Sequence, residues 1–230
     1  MAETRIAVVT GVTHGMGSAI VDALRASGHE VHGVDRDEAD LSNAAEVKAY
    51  FARIGRVDIL VNCAGGVVGQ TFKPLDEVTD EAWQDIFDAN MQTTFLCTRA
   101  VITGMKANKW GRIVNISSGA GRSVSLTGIQ AYASSKAAQI GFTRQMAYEL
   151  GQHNITVNCI APGFVLSNPS TISQWESYGR EGQGKLLAGI ATRRLGRAED
   201  IANGVSFFVS EASDWVTGQC LSIDGGHSMF

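Results

Sequence analysis

Arg5-Ile6-Ala7-Val8-Val9-Thr10-Gly11-Val12-Thr13-His14-Gly15-Met16-Gly17 begins as a continuous apolar, largely β-branched run and breaks abruptly at glycine. A run without polar alternation suits a strand buried on both faces of a parallel sheet. The next residues, Ser18-Ala19-Ile20-Val21-Asp22-Ala23-Leu24, carry apolar side chains at helical spacing. The stretch reads as strand, glycine turn, helix. In such a turn Gly11, Gly15 and Gly17 let backbone amides approach a pyrophosphate at the helix N-terminus, where free N–H groups and the dipole favour anions. Glycine also serves βα turns for steric reasons alone, so the turn needs support from the chain around it.

That support follows at once. Glu30-Val31-His32-Gly33-Val34-Asp35 reads as the next strand, with a carboxylate at its end twenty residues after Gly15. An acid there is placed to bond the adenosine ribose hydroxyls of NAD and repel the extra phosphate of NADP, though it also reads as a turn or capping residue. NAD is the expected cofactor, while Arg36 and His14 offer positive charge that keeps NADP open. Asp40-Leu41-Ser42 leads into a helix with Ser42 as the expected N-cap. Val57-Asp58-Ile59-Leu60-Val61 is the third strand, and Asn62-Cys63-Ala64-Gly65-Gly66 supplies small residues against which a flat ring fits. One long amphipathic helix is expected from Asp80 to Ala107, with Asn90 in its interior, where an amide can disturb the helix ladder and hold a water.

Gly111-Arg112-Ile113-Val114-Asn115-Ile116 is the fourth strand and ends in Ser117-Ser118-Gly119-Ala120-Gly121. Ligands of doubly wound sheets bind beyond the carboxyl ends of the strands, which is where Ser118 falls. A helix from Gln130 to about Gln152 carries Tyr132 and Lys136, four apart and so on one face. Using a phenol as a base near neutrality needs a shift of roughly 3 pKa units, about 4 kcal/mol. A lysine cation at ~4 to 5 Å supplies roughly 3 to 4 kcal/mol at an effective dielectric of 20, and a second positive charge completes the shift. Such pairs also occur by chance on solvated helix faces.

Ile155-Thr156-Val157-Asn158-Cys159-Ile160 is the fifth strand, followed by Ala161-Pro162-Gly163, and Gln219-Cys220-Leu221-Ser222-Ile223 is the last. From about residue 164 to 195 the periodicity lapses, and a segment of that length at the mouth of a site reads as a substrate lid. Phe164, Trp175 and Tyr178 are its candidate apolar wall, or simply its packing, and Arg122 is a candidate for meeting an anionic substituent.

The 230 residues, 44% hydrophobic and 18% charged, suffice for one well-buried domain over residues 1–230. A net charge of -4 without basic clusters excludes a polyanion-binding face. Neither an apolar leader nor a run of ~20 apolar residues is present, so a soluble cytoplasmic protein without a membrane partner is expected. Cys63, Cys97, Cys159 and Cys220 lack metal-ligand spacing and read as reduced core residues.

From Arg5 to Gly226 the chain resembles the short-chain dehydrogenase/reductase family. The matching motifs are Thr10-Gly11 with Gly15 and Gly17, Asn62-Cys63-Ala64-Gly65, Asn90, Ser118, Tyr132 with Lys136, and Pro162-Gly163. The resemblance implies a single Rossmann-type domain, a seven-stranded parallel sheet flanked by helices, and a catalytic set of Asn90, Ser118, Tyr132 and Lys136. It implies that Tyr132 exchanges the proton of a hydroxyl or carbonyl oxygen, that Ser118 bonds that oxygen, and that Lys136 lowers the phenol pKa and holds the nicotinamide ribose. Asn90 would position a relay water. It further implies a cofactor site of Gly11, Thr13, His14, Gly15, Met16, Gly17, Asp35, Arg36, Asp40, Leu41, Asn62, Ala64, Gly65, Tyr132, Lys136, Pro162, Gly163, Val165 and Ser167. Asp40 would meet the adenine, and the Val165 backbone the carboxamide. No metal is implied, and a homotetramer or homodimer is. The expected activity is NAD-dependent oxidation of a secondary alcohol or reduction of a ketone. An NADPH-dependent 3-oxoacyl reductase and a non-catalytic dinucleotide sensor or scaffold are the alternatives.

Overall fold

The structure, a computed structural model, describes residues 4–229. Its strands are β1 (Ile6–Thr10), β2 (Glu30–Val34), β3 (Ile59–Asn62), β4 (Gly111–Ile116), β5 (Ile155–Pro162) and β6 (Cys220–Ile223). They form one sheet in the order β2-β1-β3-β4-β5-β6, parallel throughout. The chain winds outward from β1 to β2, then returns to the other side through β3. The switch point therefore lies between β1 and β3, where a doubly wound sheet opens its crevice.

Helices cover both faces: α1 (Gly15–Ala26), α2 (Ala44–Ile54), α3 (Asp80–Phe87), α4 (Thr93–Asn108), α5 (Gln130–Leu150), α6 (Pro169–Ser177), α7 (Gly179–Gly189) and α8 (Ala198–Val209). Strand alternation sorts the core into two layers. Val9, Val61, Val114 and Ile160 face Ile20 and Leu24 of α1 and Val205 and Phe208 of α8. Val8, Leu60, Ile113 and Val157 face Val47 and Phe51 of α2, Leu96 and Met105 of α4, and Leu150 of α5. Every residue of β3 and β4 is buried, including the polar Asn62, Arg112 and Asn115 among the apolar residues.

Four expectations are corrected. The sheet has six strands among the described residues, not seven. After β2 the polar segment Arg36-Asp37-Glu38-Ala39-Asp40 folds on itself, with the N–H groups of Glu38 and Ala39 donating to the Asp35 carbonyl, and no further strand reaches the sheet edge. Asn43, not Ser42, caps α2 by accepting from Ala45 N, because the Ser42 hydroxyl is committed to Asp40. The long helix across Asn90 is interrupted by a π-helical segment, Asp88–Gln92, between α3 and α4. The aperiodic stretch after Phe164 holds two helices, α6 and α7. Its signal was local: Asn168 and Thr171 form a capping box around Pro169, the first residue of α6.

Candidate active site

Three strand ends build the floor. Thr10 at the end of β1 accepts from the N–H groups of Cys63 (3.0 Å) and Ala64 (2.9 Å) through its hydroxyl, tying the β1 and β3 ends together. Asn62 is buried and donates to Asn115 Oδ1 (2.8 Å) and Thr98 Oγ1 (3.2 Å), and Asn115 in turn donates to Thr143 Oγ1 (2.8 Å). This polar chain fixes β3, β4 and α5 relative to one another.

The turn between β1 and α1 is shaped for an anion. His14 stands at the N-cap without a side-chain hydrogen bond, so no side chain of its own covers the first-turn amides. Gly15 has φ +64°, and a Cβ there would fall 2.3 Å from the Ser167 carbonyl oxygen. The bare backbone, the uncapped helix start and its positive dipole end fit a dinucleotide pyrophosphate. At the β2 end, Asp35 Oδ2 accepts from Thr13 N (3.0 Å) and Thr13 Oγ1 (2.6 Å), and Oδ1 accepts from Arg36 N (2.9 Å). Burial raises the Asp35 pKa, but these donors outweigh it and hold the carboxyl below its ordinary range. Asp40 is exposed and accepts from Ser42, which lowers its pKa, whereas Leu41 is a core side chain.

Asn90 is wholly buried on the π segment. Its Nδ2 donates to the carbonyls of Gly66 (2.8 Å) and Ile86 (2.7 Å), and its Oδ1 accepts from Gly66 N (3.0 Å). Both amide protons are thus spent on protein carbonyls, and the side chain's visible work is to shape the 65–66 loop. The fit is tight, since a Cβ on Gly65 would lie 2.4 Å from Asn90 Oδ1.

Ser117 and Ser118 point to different tasks. The Ser117 hydroxyl donates to the Lys136 carbonyl (2.7 Å) and anchors α5. The Ser118 hydroxyl accepts from Ala120 N (3.1 Å) and interacts with the Tyr132 phenol. Lys136 is buried, and its Nζ donates to the Ile116 carbonyl (3.0 Å) and lies 5.8 Å from the centre of the Tyr132 ring. Burial pushes the phenol above its ordinary value near 10, against the pull of the Ser118 hydroxyl. Burial also lowers the lysine to about 8, opposed by the thiols of Cys63 and Cys159.

Ser118, Tyr132 and Lys136 line one cavity of about 530 Å³, with Met16, Gly65, Pro162, Gly163, Phe164, Val165 and Ser167. Apart from Met16, the glycine turn lies outside its lining, as do Asp35, Arg36 and Asp40 after β2 and Asn62 and Ala64 at the end of β3. Of the expected substrate residues only Phe164 faces the cavity. Trp175 and Tyr178 pack on Phe164, with ring centres 6.2 and 5.9 Å away, and brace α6 and α7 over it. Arg122 turns to the sheet edge, where it donates to the Cys220 carbonyl (3.1 Å) and Ser222 Oγ (2.8 Å). The lining also includes residues that sequence reasoning missed: Val67 and Val68, the stretch Ser123 to Thr127, Gln174 and His227. No periodicity marks them, because all but Gln174 of α6 lie outside helices and strands.

Residues 38–228 match the family described as enoyl-(acyl carrier protein) reductase. The (2S)-[(R)-hydroxy(phenyl)methyl]succinyl-CoA dehydrogenase subunit BbsD of Thauera aromatica is 37% identical, over 99% of this chain and 98% of its own length. The 3-oxoacyl-[acyl-carrier-protein] reductase FabG of Escherichia coli is 32% identical, over 99% and 98%. Among solved structures, ElxO with NADP bound superimposes with a TM-score of 0.87 at 25% identity, covering 98% of this chain and 99% of its own.

Proposed function

Given that this chain belongs to the short-chain dehydrogenase/reductase family and is a nicotinamide-dependent oxidoreductase, we propose that it interconverts a secondary alcohol and a ketone using NAD(H). The observation that carries this reading is that Ser118, Tyr132 and Lys136 line one cavity, with the Lys136 ammonium 5.8 Å from the centre of the Tyr132 ring. When bound, the nicotinamide supplies the hydride acceptor or donor. Tyr132 takes or gives the proton of the substrate oxygen, and Ser118 bonds the same oxygen. Lys136 places a cation beside the phenol, favouring the phenolate once a cofactor charge joins it. Asn90 is a positioning residue that sets the 65–66 loop.

In this reading the pyrophosphate rests on the Gly11–Gly17 turn, with Thr13, His14 and Met16 around it and the adenosine ribose on Asp35. Residues 164–195 act as a lid. The choice of NAD over NADP rests on the ionised Asp35, held in place by Thr13. The second reading, an NADPH-dependent 3-oxoacyl reductase, is favoured by the identity to FabG and by the NADP in ElxO. Comparing NADH and NADPH affinities decides between them.

A homotetramer or homodimer is supported by Trp215, 97% exposed, and by the open edge of β6; light scattering checks it. No described helix is long and apolar enough to cross a membrane, and the four cysteines are free thiols, which suits a reducing, cytoplasmic setting. The activity is tested by following NAD reduction with hydroxy acids, sugars, cyclic alcohols and steroids. Turnover of one class supports the reading. Tight NADH binding with no turnover across the panel favours a non-catalytic sensor instead.

A further inference from the structure

Besides Tyr132 and Lys136, the ionisable side chains lining the cavity are Cys63, Asp224 and His227 among the described residues. Two of these are unavailable to a substrate. Burial pushes the Cys63 thiol up to about 11, so it stays neutral. Asp224 folds back on its own turn: Oδ1 accepts from Gly226 N (2.9 Å) and Oδ2 from Ser228 N (2.8 Å). Lys136 is likewise engaged, donating to the Ile116 carbonyl. His227 is different, because its ring has no hydrogen-bond partner among the described residues.

The same turn fixes where that ring stands. Gly225 and Gly226 have φ +66° and +78°, which lets the chain double back so that Asp224 reaches both later amides. The ring then lies against the end of α7: a Cβ added to Gly189 would sit 3.8 Å from His227 Nε2. The imidazole is thus held by Asp224 through the backbone, beside bare helix backbone, in a cavity shared with Ser118 and Tyr132. No arginine lines that cavity, and Arg122 is directed to β6. The substrate end therefore offers one uncommitted imidazole and no uncommitted carboxylate.

We propose that His227 is a specificity-determining residue that binds a carboxylate on the substrate, making the preferred substrate a small hydroxy acid or its oxo acid. A phosphate-bearing head group would find no arginine in this lining, and Lys136 already donates to the Ile116 carbonyl. A cationic substrate would meet the imidazole, and the Asp224 carboxylate beside it is engaged by the Gly226 and Ser228 amides. The proposal rests on the dehydrogenase reading above and narrows its substrate class.

The test pairs each of lactate, 3-hydroxybutyrate and gluconate with its carboxamide and measures binding to the NADH-loaded enzyme by calorimetry, so the result does not depend on turnover. At least one acid should bind about tenfold or more tightly than its amide, as one hydrogen bond to a charged group implies. His227→Ala should abolish that preference, His227→Gln should retain part of it, and both should leave NADH affinity within about twofold. In turnover the loss should fall on KM. If no acid is preferred over its amide, or if His227→Ala keeps the preference, the proposal is overturned. Loss of NADH binding in the wild-type protein would instead overturn the dehydrogenase reading.

Discussion

The ammonium of Lys136 lies 5.8 Å from the centre of the Tyr132 ring while donating to the Ile116 carbonyl at 3.0 Å. At that separation a unit charge contributes about 3 kcal/mol at an effective dielectric of 20. Yet burial holds the phenol above its ordinary value. The cofactor-free site thus keeps tyrosine protonated, the form that donates a proton in ketone reduction. In the proposed mechanism alcohol oxidation needs the phenolate, so its kcat/KM should rise with pH while that of reduction falls. Ultraviolet titration of the phenol should show its pKa lowered by NAD+ and less so by NADH, whose ring is neutral. Equal pKa values with and without NAD+ would refute the two-charge account.

Lys136 should leave a signature in stability. Its folded pKa of about 8 lies below the ordinary 10.5, so between these values the unfolded chain binds more protons and stability rises with pH. The penalty is full below 8 and amounts to about 3 kcal/mol. Lys136→Met removes it while leaving the Ile116 carbonyl without its donor. The stability of the variant relative to wild type should therefore fall by about 3 kcal/mol from pH 8 to 10.5. Denaturant titrations of both cofactor-free proteins across that range measure it, and a flat difference would show that the lysine is not held near 8.

The adjacent serines should separate cleanly. Ser118→Ala should lower kcat/KM about 100-fold and, by removing the bond from Ala120 N, cost about 1 kcal/mol of stability. Ser117→Ala removes the bond to the Lys136 carbonyl and should cost about 1 to 2 kcal/mol of stability. Steady-state kinetics and chemical denaturation of the two variants make the comparison, and the reverse pattern would exchange the assigned roles.

In the proposed reading cofactor choice turns on Asp35. The wild type should prefer NADH to NADPH by about tenfold or more, and Asp35→Ser should reduce that preference about tenfold by removing the charge that repels a 2′-phosphate. Fluorescence titration with both dinucleotides checks it. A wild-type preference for NADPH would overturn the role given to Asp35.

Much of this was legible in the chain. Buried parallel strands such as Leu60-Val61 and Ile113-Val114 announce themselves as apolar runs, and Tyr132 and Lys136 share a face because a helix repeats every 3.6 residues. The seventh strand failed because Asp35 and Asp40 satisfy their own turns, a local competition that periodicity does not register. Asn90 was visible as an amide in mid-helix, but its bonds to Gly66 depend on a loop 24 residues away. Arg122 looked available for substrate until β6, from the far end of the chain, supplied its acceptors. His227 faces the cavity only because a turn after the last strand folds back over it.

In the proposed mechanism Tyr132 carries the proton, and dinucleotide binding does not depend on it. Tyr132→Phe should bind NADH with an affinity within about twofold of wild type and lose kcat by about 1,000-fold or more with the best substrate, as removal of a general acid/base implies. Near-normal turnover by Tyr132→Phe, with NADH still bound, would contradict the account.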